Sequence, residues 1–475
     1  MPFFIVFSTI YAMKEWMKHG IIGHRSEVMH LETIAAISTA YGTAGISVIR
    51  VSGNDAIIKI NQIFRGKDLT KVKSHTVHYG FIVDKDNNHI DEVMVTVLRA
   101  PRSFTTEDMV EIATHGGILV TEKVLKRILE TGIRLAKPGE YTERAFIHGR
   151  IDLAESEAVM DLISAKNEKA MQLAMQALRG ETTKLINDLR EELLAIIAQI
   201  EVNIDYPEYD DIEALTNAKI KPEIIKFISK LDEVLDESVK GRLVREGVET
   251  AIIGKPNVGK SSLLNALLKE DRAIVTDIAG TTRDTIEERV NIGGITLNLI
   301  DTAGIRDSSD YVEMIGVKRS KEAIKKAELV ILVLDASETL SKEDERLIEL
   351  TKDKRRIIVG NKKDLGIKTK LPNMLHLSTL EKEDIKRLEF AILEELKLSE
   401  INEDYKFLSN VRHIEKVEEA KEALNKALAA IEVGYPIDIV ELDIRKAWEL
   451  LGEITGDYYA EDLIDELFRR FCLGK

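Results

Sequence analysis

A chain of 475 residues has room for about two to four domains with substantial cores, and 44% hydrophobic against 31% charged residues excludes a disordered polyelectrolyte. A formal net charge of −15 excludes a surface that attracts polyanions as a whole, so an RNA substrate would need a local basic patch or a basic partner. A single cysteine excludes an internal disulfide and suits a reducing, cytoplasmic setting, and no apolar run reaches bilayer-spanning length.

Residues 1–30 read as an N-terminal extension. Phe3 to Tyr11 is apolar, but no positive region precedes it and no clear small-residue cleavage site follows, which is a poor signal peptide. Start-site choice before Met29 explains it, with a short amphipathic helix as the alternative.

Residues 31–150 mix strand and helix signals. Ile34 to Ile37 and Ile46 to Val51 flank the loop Tyr41 to Gly45; Val93 to Leu98 and Val110 to Ala113 read as strands. Leu119 to Leu129 is helical, and Pro138 to Phe146 follows it. The pattern predicts a small α/β domain. Within it, Arg50, Glu111 and Arg150 either line a polar ligand site or are ordinary surface charges.

Residues 151–246 are helical almost throughout. Ala154, Ala158, Leu162 and Ala165 share one face, and Leu185, Leu189, Leu193, Ile196, Ile197 and Ile200 share another. Pro207 and the acidic stretch Glu208 to Asp211 interrupt the pattern, which resumes over Leu231 to Val239.

Residues 247–399 alternate strand and helix and predict a doubly wound, Ras-like domain. The apolar run Ala251 to Ile253 leads into Gly254, then Gly259, Lys260 and Ser261, and Leu263, Leu264, Leu267 and Leu268 recur at helical spacing. This is the strand–loop–helix context of a phosphate-binding loop, whose backbone N–H groups and helix N-terminus close on phosphate oxygens. Lys260 would reach the β- and γ-phosphates and Ser261 would bind Mg²⁺. Leu297 to Ile300 leads into Asp301, Thr302, Ala303 and Gly304, where Asp301 would hold Mg²⁺ through water and the Gly304 N–H would meet the γ-phosphate. Arg356 to Gly360 ends in Asn361, Lys362, Lys363 and Asp364. A carboxylate only accepts hydrogen bonds, so Asp364 suits the N1–H and N2–H of guanine and rejects adenine. Ser378, Thr379 and Leu380 would offer a backbone N–H to the guanine O6. Ile305 stands where Ras-like enzymes carry the glutamine that orients the attacking water. Glu313 either takes that role or is a solvated helix-start glutamate.

Residues 400–475 return to helix from about Ile414 to Phe471, with Val417, Ala420, Leu424 and Leu428 in register. Each helical flank has an apolar face needing cover, so one discontinuous helical domain with the GTPase inserted is the economical reading. The tail ends Phe471, Cys472, Leu473, Gly474 and Lys475; nearby Arg and Lys would favour the Cys472 thiolate.

Taken together, the chain resembles the MnmE (TrmE) family of tRNA-modification GTPases. The resemblance is carried by Gly45 to Gly53, His115-Gly116-Gly117, Pro138 to Arg150, Gly254 to Ser262, Thr276 to Asp284, Asp301 to Gly304, Asn361 to Asp364 and the terminal Cys472-Leu473-Gly474-Lys475. It departs at Ala40 to Gly45, which lacks the usual proline- and glycine-rich run, and at Thr379, where Ala is usual. The resemblance implies a multi-domain α/β plus α protein: a folate-binding and dimerising domain (31–150), a helical domain in two parts (151–246 and 400–475), and the GTPase domain (247–399). It implies a homodimer acting with the flavoprotein MnmG (GidA) as a heterotetramer, with FAD only on that partner and tRNA bound through the complex. A tetrahydrofolate, in its 5,10-methylene or 5-formyl form, would supply carbon for C5 of the wobble uridine, held by Arg50, Glu111, Arg150 and Lys475. GTP contacts would fall on Asn257, Val258, Gly259, Lys260, Ser261 and Ser262, on Thr276, Asp277, Ile278, Ala279, Gly280, Thr281 and Thr282, and on the segments named above. Ser261 and Thr282 would hold Mg²⁺; Asn257, Thr276, Ile278 and Thr281 would hold K⁺. Glu313 and Cys472 are the catalytic expectations. An Era-like ribosome-assembly GTPase, a switch without modification chemistry, is the alternative.

Overall fold

The structure, a computed structural model, describes residues 32–205, 217–270, 288–300, 322–398, 408–458, 461–469, 471 and 474. In chain order the first elements are β1 (Ile34–Ile37), β2 (Ile46–Ser52), α1 (Ala56–Ile63), β3 (Phe64–Gly66), β4 (Thr76–Val83), β5 (His89–Leu98), β6 (Met109–His115), α2 (Ile118–Leu129), β7 (Arg134–Leu135) and α3 (Glu140–Ile147). Helices α4 (Leu153–Ser164), α5 (Glu168–Leu178), α6 (Glu181–Asp205) and α7 (Asn217–Glu246) follow. Then come β8 (Val248–Ile253), α8 (Lys260–Glu270), β9 (Glu288–Ile292), β10 (Ile295–Leu299), β11 (Leu329–Asp335), α9 (Lys342–Leu350), β12 (Arg356–Asn361), β13 (Met374–His376) and α10 (Lys382–Glu395). The last are α11 (Val411–Val433), α12 (Ile437–Thr455) and α13 (Glu461–Arg469). The chain divides into two compact units, Met1–Met160 with Ala177–Ile225 and Glu419–Lys475, and Asp161–Gln176 with Lys226–Glu418.

In the first unit a seven-stranded sheet runs β3-β4-β5-β6-β2-β1-β7, antiparallel except for the β1–β7 pair. Strand alternation decides its faces. Val93, Val95 and Val97 of β5 are buried, and join Ile49, Val51 and Ile112 under Ile57 and Ile60 of α1 and Val124 and Ile128 of α2. The β2–β6 register sets Arg50 directly opposite Glu111. Behind the sheet, Arg144 of α3 is 1% exposed, and its two terminal nitrogens donate to Glu107, Glu140 and the Glu32 carbonyl. The helical part of this unit packs Phe146 and Leu153 against Ile464, Phe468 and Phe471. Arg190 of α6 lies 4.2 Å from the Trp448 ring centroid of α12 and pairs with Asp457.

In the second unit a six-stranded sheet runs β13-β12-β11-β8-β10-β9. It is parallel from β13 to β10, and β9 closes the edge antiparallel. Every residue of β11 is buried, as a strand covered on both faces must be. One face of the sheet packs Ile252, Val333 and Val359 with Leu263 and Leu267 of α8; the other packs Ala251, Ile253, Leu332 and Ile358. Such sheets bind ligands outside the carboxyl ends of their strands.

The α/β and helical pattern follows the sequence expectation, with local differences. The near-continuous helix after Asp152 is interrupted between α4 and α5 and between α5 and α6. The strand expected to end at Ile300 runs Ile295–Leu299. On α11 the buried stripe passes through Val417, Ala420, Leu424 and Ala427, while Leu428 is half-buried. Among the described residues no helix is long and apolar enough to cross a membrane.

Candidate functional site

The loop between β8 and α8 is shaped by two glycines that admit no side chain. A Cβ on Gly254 would lie 2.3 Å from the Val333 carbonyl oxygen. Gly259 has φ of +98°, and its Cβ would lie 2.2 Å from the Asn361 side-chain nitrogen. Asn257 also sits at positive φ, +65°, where asparagine is among the tolerated residues. Lys260 folds back into this loop and donates to the carbonyls of Gly254 (2.8 Å) and Lys255 (2.9 Å). Burial pushes its ammonium below the ordinary range, with only Glu343 opposing. Ser261 follows on the first turn of α8.

The end of β12 is tied to this loop. Asn361 is 2% exposed and donates from Nδ2 to the Val258 carbonyl at 2.8 Å. Lys362, at φ of +61°, reaches Asp335 at the end of β11 (2.7 Å). Burial opposes ionisation of Asp335, but Lys362 and Ser337 outweigh it and hold the carboxyl below its usual range. Asp364 is exposed, and its carboxylate has no partner among the described residues. Beyond β13, Asp384 accepts from the Ser378 N–H (2.7 Å), and Ser378 Oγ accepts from the Leu380 N–H (3.4 Å). The Thr379 N–H is left without a partner among the described residues. The result is a phosphate loop and, beside it, one free carboxylate with one free N–H. An acceptor beside a donor fits a guanine edge.

A second polar cluster lies on the sheet of the first unit. Arg50 pairs with Glu111 at 2.8 Å and points toward the Gly474 carbonyl at 3.5 Å, which also accepts from Ser38 at 3.2 Å. The Phe104 ring sits between two guanidinium groups, 5.9 Å from Arg50 and 5.0 Å from Arg150. Arg150 also donates to the Phe104 carbonyl at 2.6 Å. The aromatic face stabilises both cations.

Residues 33–150 match the family of the GTP-binding protein TrmE N-terminus, and residues 153–472 match the MnmE helical domain. The tRNA modification GTPase MnmE of Acholeplasma laidlawii is 57% identical over 448 residues, 94% of this chain and 100% of that protein. That of Bacillus cytotoxicus is 51% identical over 458 residues, again 94% and 100%. The chain belongs to the MnmE family. It is a GTPase of tRNA modification. The helical-domain and N-terminal matches set aside the Era-like alternative. Among solved structures, the FeoB G-domain from Methanococcus jannaschii is 26% identical and covers 32% of this chain and 98% of that chain, with a TM-score of 0.23.

Of the residues expected to act in this MnmE-family chain, Asn257 to Ser262 lie on the loop after β8 and the start of α8, Asn361, Lys362 and Asp364 at and after the end of β12, and Ser378, Thr379 and Leu380 after β13, while Arg50, Glu111 and Arg150 come together in the second cluster. Thr276 to Thr282, Asp301 to Gly304, Glu313, Cys472 and Lys475 lie outside the described residues. Sequence reasoning missed Phe104, Asp335, Asp384 and the Gly474 carbonyl. Asp384 is an acid in the first turn of α10, a position where acids are common for helix-dipole reasons alone. A lone aromatic in a loop and a backbone carbonyl give no sequence signal.

Proposed function

We propose that this chain, as a homodimer with the flavoprotein MnmG, installs an aminomethyl-type group on C5 of the wobble uridine of certain tRNAs, with glycine or ammonium as amine donor. FAD resides on the partner. The observation that carries this reading is the second cluster: an ion pair, a doubly cation-flanked aromatic ring and a carbonyl from the far end of the chain, gathered on one sheet of a tRNA modification GTPase.

Glu111 offers acceptors to an amino-bearing ring, Arg50 and Arg150 offer donors, and the Phe104 face offers stacking. That donor set fits a pterin and its attached carboxylates, and Lys475 would join it. A bound tetrahydrofolate would supply the one-carbon unit, and the chain's own residues would orient it. Cys472 would act beside it as nucleophile or acid–base group, since a thiolate near Arg and Lys is favoured.

GTP would be gripped by the loop of Gly254 to Ser262, with Lys260 on its β- and γ-phosphates, Asp364 on its base and the Thr379 N–H on O6. Ser261 with Thr282 would hold Mg²⁺, and Asn257 with Thr276, Ile278 and Thr281 would hold K⁺, a fixed positive charge beside the phosphates. Glu313 would orient water, and hydrolysis would control the conformation of the complex.

The test is complementation of a strain lacking the gene, with mass analysis of its wobble uridines. Cys472→Ser is expected to hydrolyse GTP normally and leave the uridine unmodified. Full modification by that variant removes Cys472 from the chemistry, and normal uridines in the deletion strain would sink the whole reading.

A further inference from the structure

A hollow of about 460 Å³ adjoins the Arg50–Glu111 cluster and shares Phe104 and Arg150 with it. His75, Arg102 and Ser103 complete its polar lining, with Leu98 and Pro101 as its apolar part. No carboxylate lines it, although the chain carries 82 acidic against 67 basic side chains. The acids nearest in sequence are engaged elsewhere. Glu107 is bound by Arg144 through both oxygens and by Ser52. Asp108 accepts the Ala100 N–H. The guanidinium groups of Arg102 and Arg150 have no carboxylate partner among the described residues.

The wall that carries Arg102 is fixed. The Arg102 N–H donates to the Arg99 carbonyl, the Ser103 hydroxyl to the Glu107 carbonyl, and the His75 N–H to the Val97 carbonyl. Arg99 in turn donates to the carbonyls of Leu69, Thr70 and Val72. Two arginines without carboxylate partners on an open, pre-formed wall make an anion subsite whose backbone needs little ordering to bind. Its shared members, Phe104 and Arg150, fix what kind of anion: one continuous with a molecule stacked at the neighbouring cluster.

We infer that this hollow takes the γ-linked glutamate tail of the folate, and that Arg102 makes the chain prefer polyglutamylated over monoglutamylated folate. The inference rests on the folate reading above. Each added glutamate brings one carboxylate, and Arg102 meets it with Arg150 held in place by the Phe104 carbonyl and ring. Arg102 is exposed and unpaired, so its replacement does not disturb folding.

The experiment is calorimetric titration of the full-length protein with 5-formyltetrahydrofolate carrying one or three glutamates. The triglutamate is expected to bind roughly fivefold more tightly at low salt, the combined scale of two exposed ion pairs, with the ratio shrinking as salt rises. Arg102→Ala is expected to bring the ratio close to one, and Arg102→Lys to keep most of it. Equal binding of the two forms by the parent protein, or a ratio unchanged in Arg102→Ala, overturns the inference while leaving the folate reading intact. Failure of both forms to bind overturns that reading as well. If Arg102→Ala instead weakens tRNA binding and leaves the glutamate ratio unchanged, the hollow belongs to RNA phosphate and the inference fails.

Discussion

The Lys260 ammonium is half-buried against two backbone carbonyls, and no carboxylate pairs with it among the described residues. A partly desolvated charge without a counter-ion carries a cost, so a phosphate arriving here relieves it as well as making contacts. Asp364 is the opposite case, an exposed and unpaired acceptor. Asp364→Asn replaces two charge-assisted acceptors with an amide, and GTP affinity is expected to fall about 10²-fold or more. Xanthosine triphosphate, with a carbonyl where guanine has its amino group, is expected to bind the variant better than GTP does. Nucleotide displacement measures both, and unchanged GTP affinity would move base recognition elsewhere. For the water and the monovalent cation the readout is turnover. Glu313→Ala is expected to lower kcat by about 10²-fold, the scale of a positioned acid–base group, at similar GTP affinity. Turnover is expected to be faster in KCl than in NaCl, and equal rates would remove the cation from the mechanism.

Helix α3 shows what one element does for the first unit. Burial disfavours the charge on Glu140, but Arg134, the Lys137 N–H and Arg144 more than offset it and hold the carboxyl below its ordinary range. A carboxyl depressed in the folded state stabilises fully above its unfolded value, about 4.3, and the gain is lost as pH falls through the folded one. Glu140→Gln is therefore expected to lower the urea midpoint at neutral pH, with the gap from the parent closing below about pH 4. A gap constant down to pH 2 would mean that packing rather than charge holds the cluster. Much of this unit was legible in the sequence: the alternation in Val93 to Leu98 and Val110 to Ala113 marks β5 and β6, and the helical period marks α2. In the second unit the run into Gly254 and the spacing to Lys260 gave the loop. Strand order was not legible, because which strands pair is decided by contacts across the whole unit. Nor was Arg50 opposite Glu111, a consequence of register, or the Ser378 N–H being taken by Asp384, which leaves Thr379 as the free donor.

Across the whole molecule the net charge of −15 opposes a phosphate backbone, whose attraction normally dominates nucleic-acid affinity. Free tRNA is expected to bind this protein alone only weakly, and to bind well once the flavoprotein proposed above as its partner is added. Tight, salt-sensitive binding by the isolated protein in a filter or fluorescence assay would contradict that. The hydrogen bond from Ser38 to the Gly474 carbonyl joins groups 436 residues apart in the chain. During synthesis the N-terminal sheet can pair its strands as soon as residues 34–135 have emerged, since domains fold as units from the N-terminus. The Gly474 carbonyl is translated only long after those strands. A nascent chain that has paired these strands thus holds Arg50 opposite Glu111 without the Gly474 carbonyl. The contact that Ser38 and Arg50 make with that carbonyl is therefore among the last of this unit to form, and a chain cut short before Gly474 leaves both donors without it.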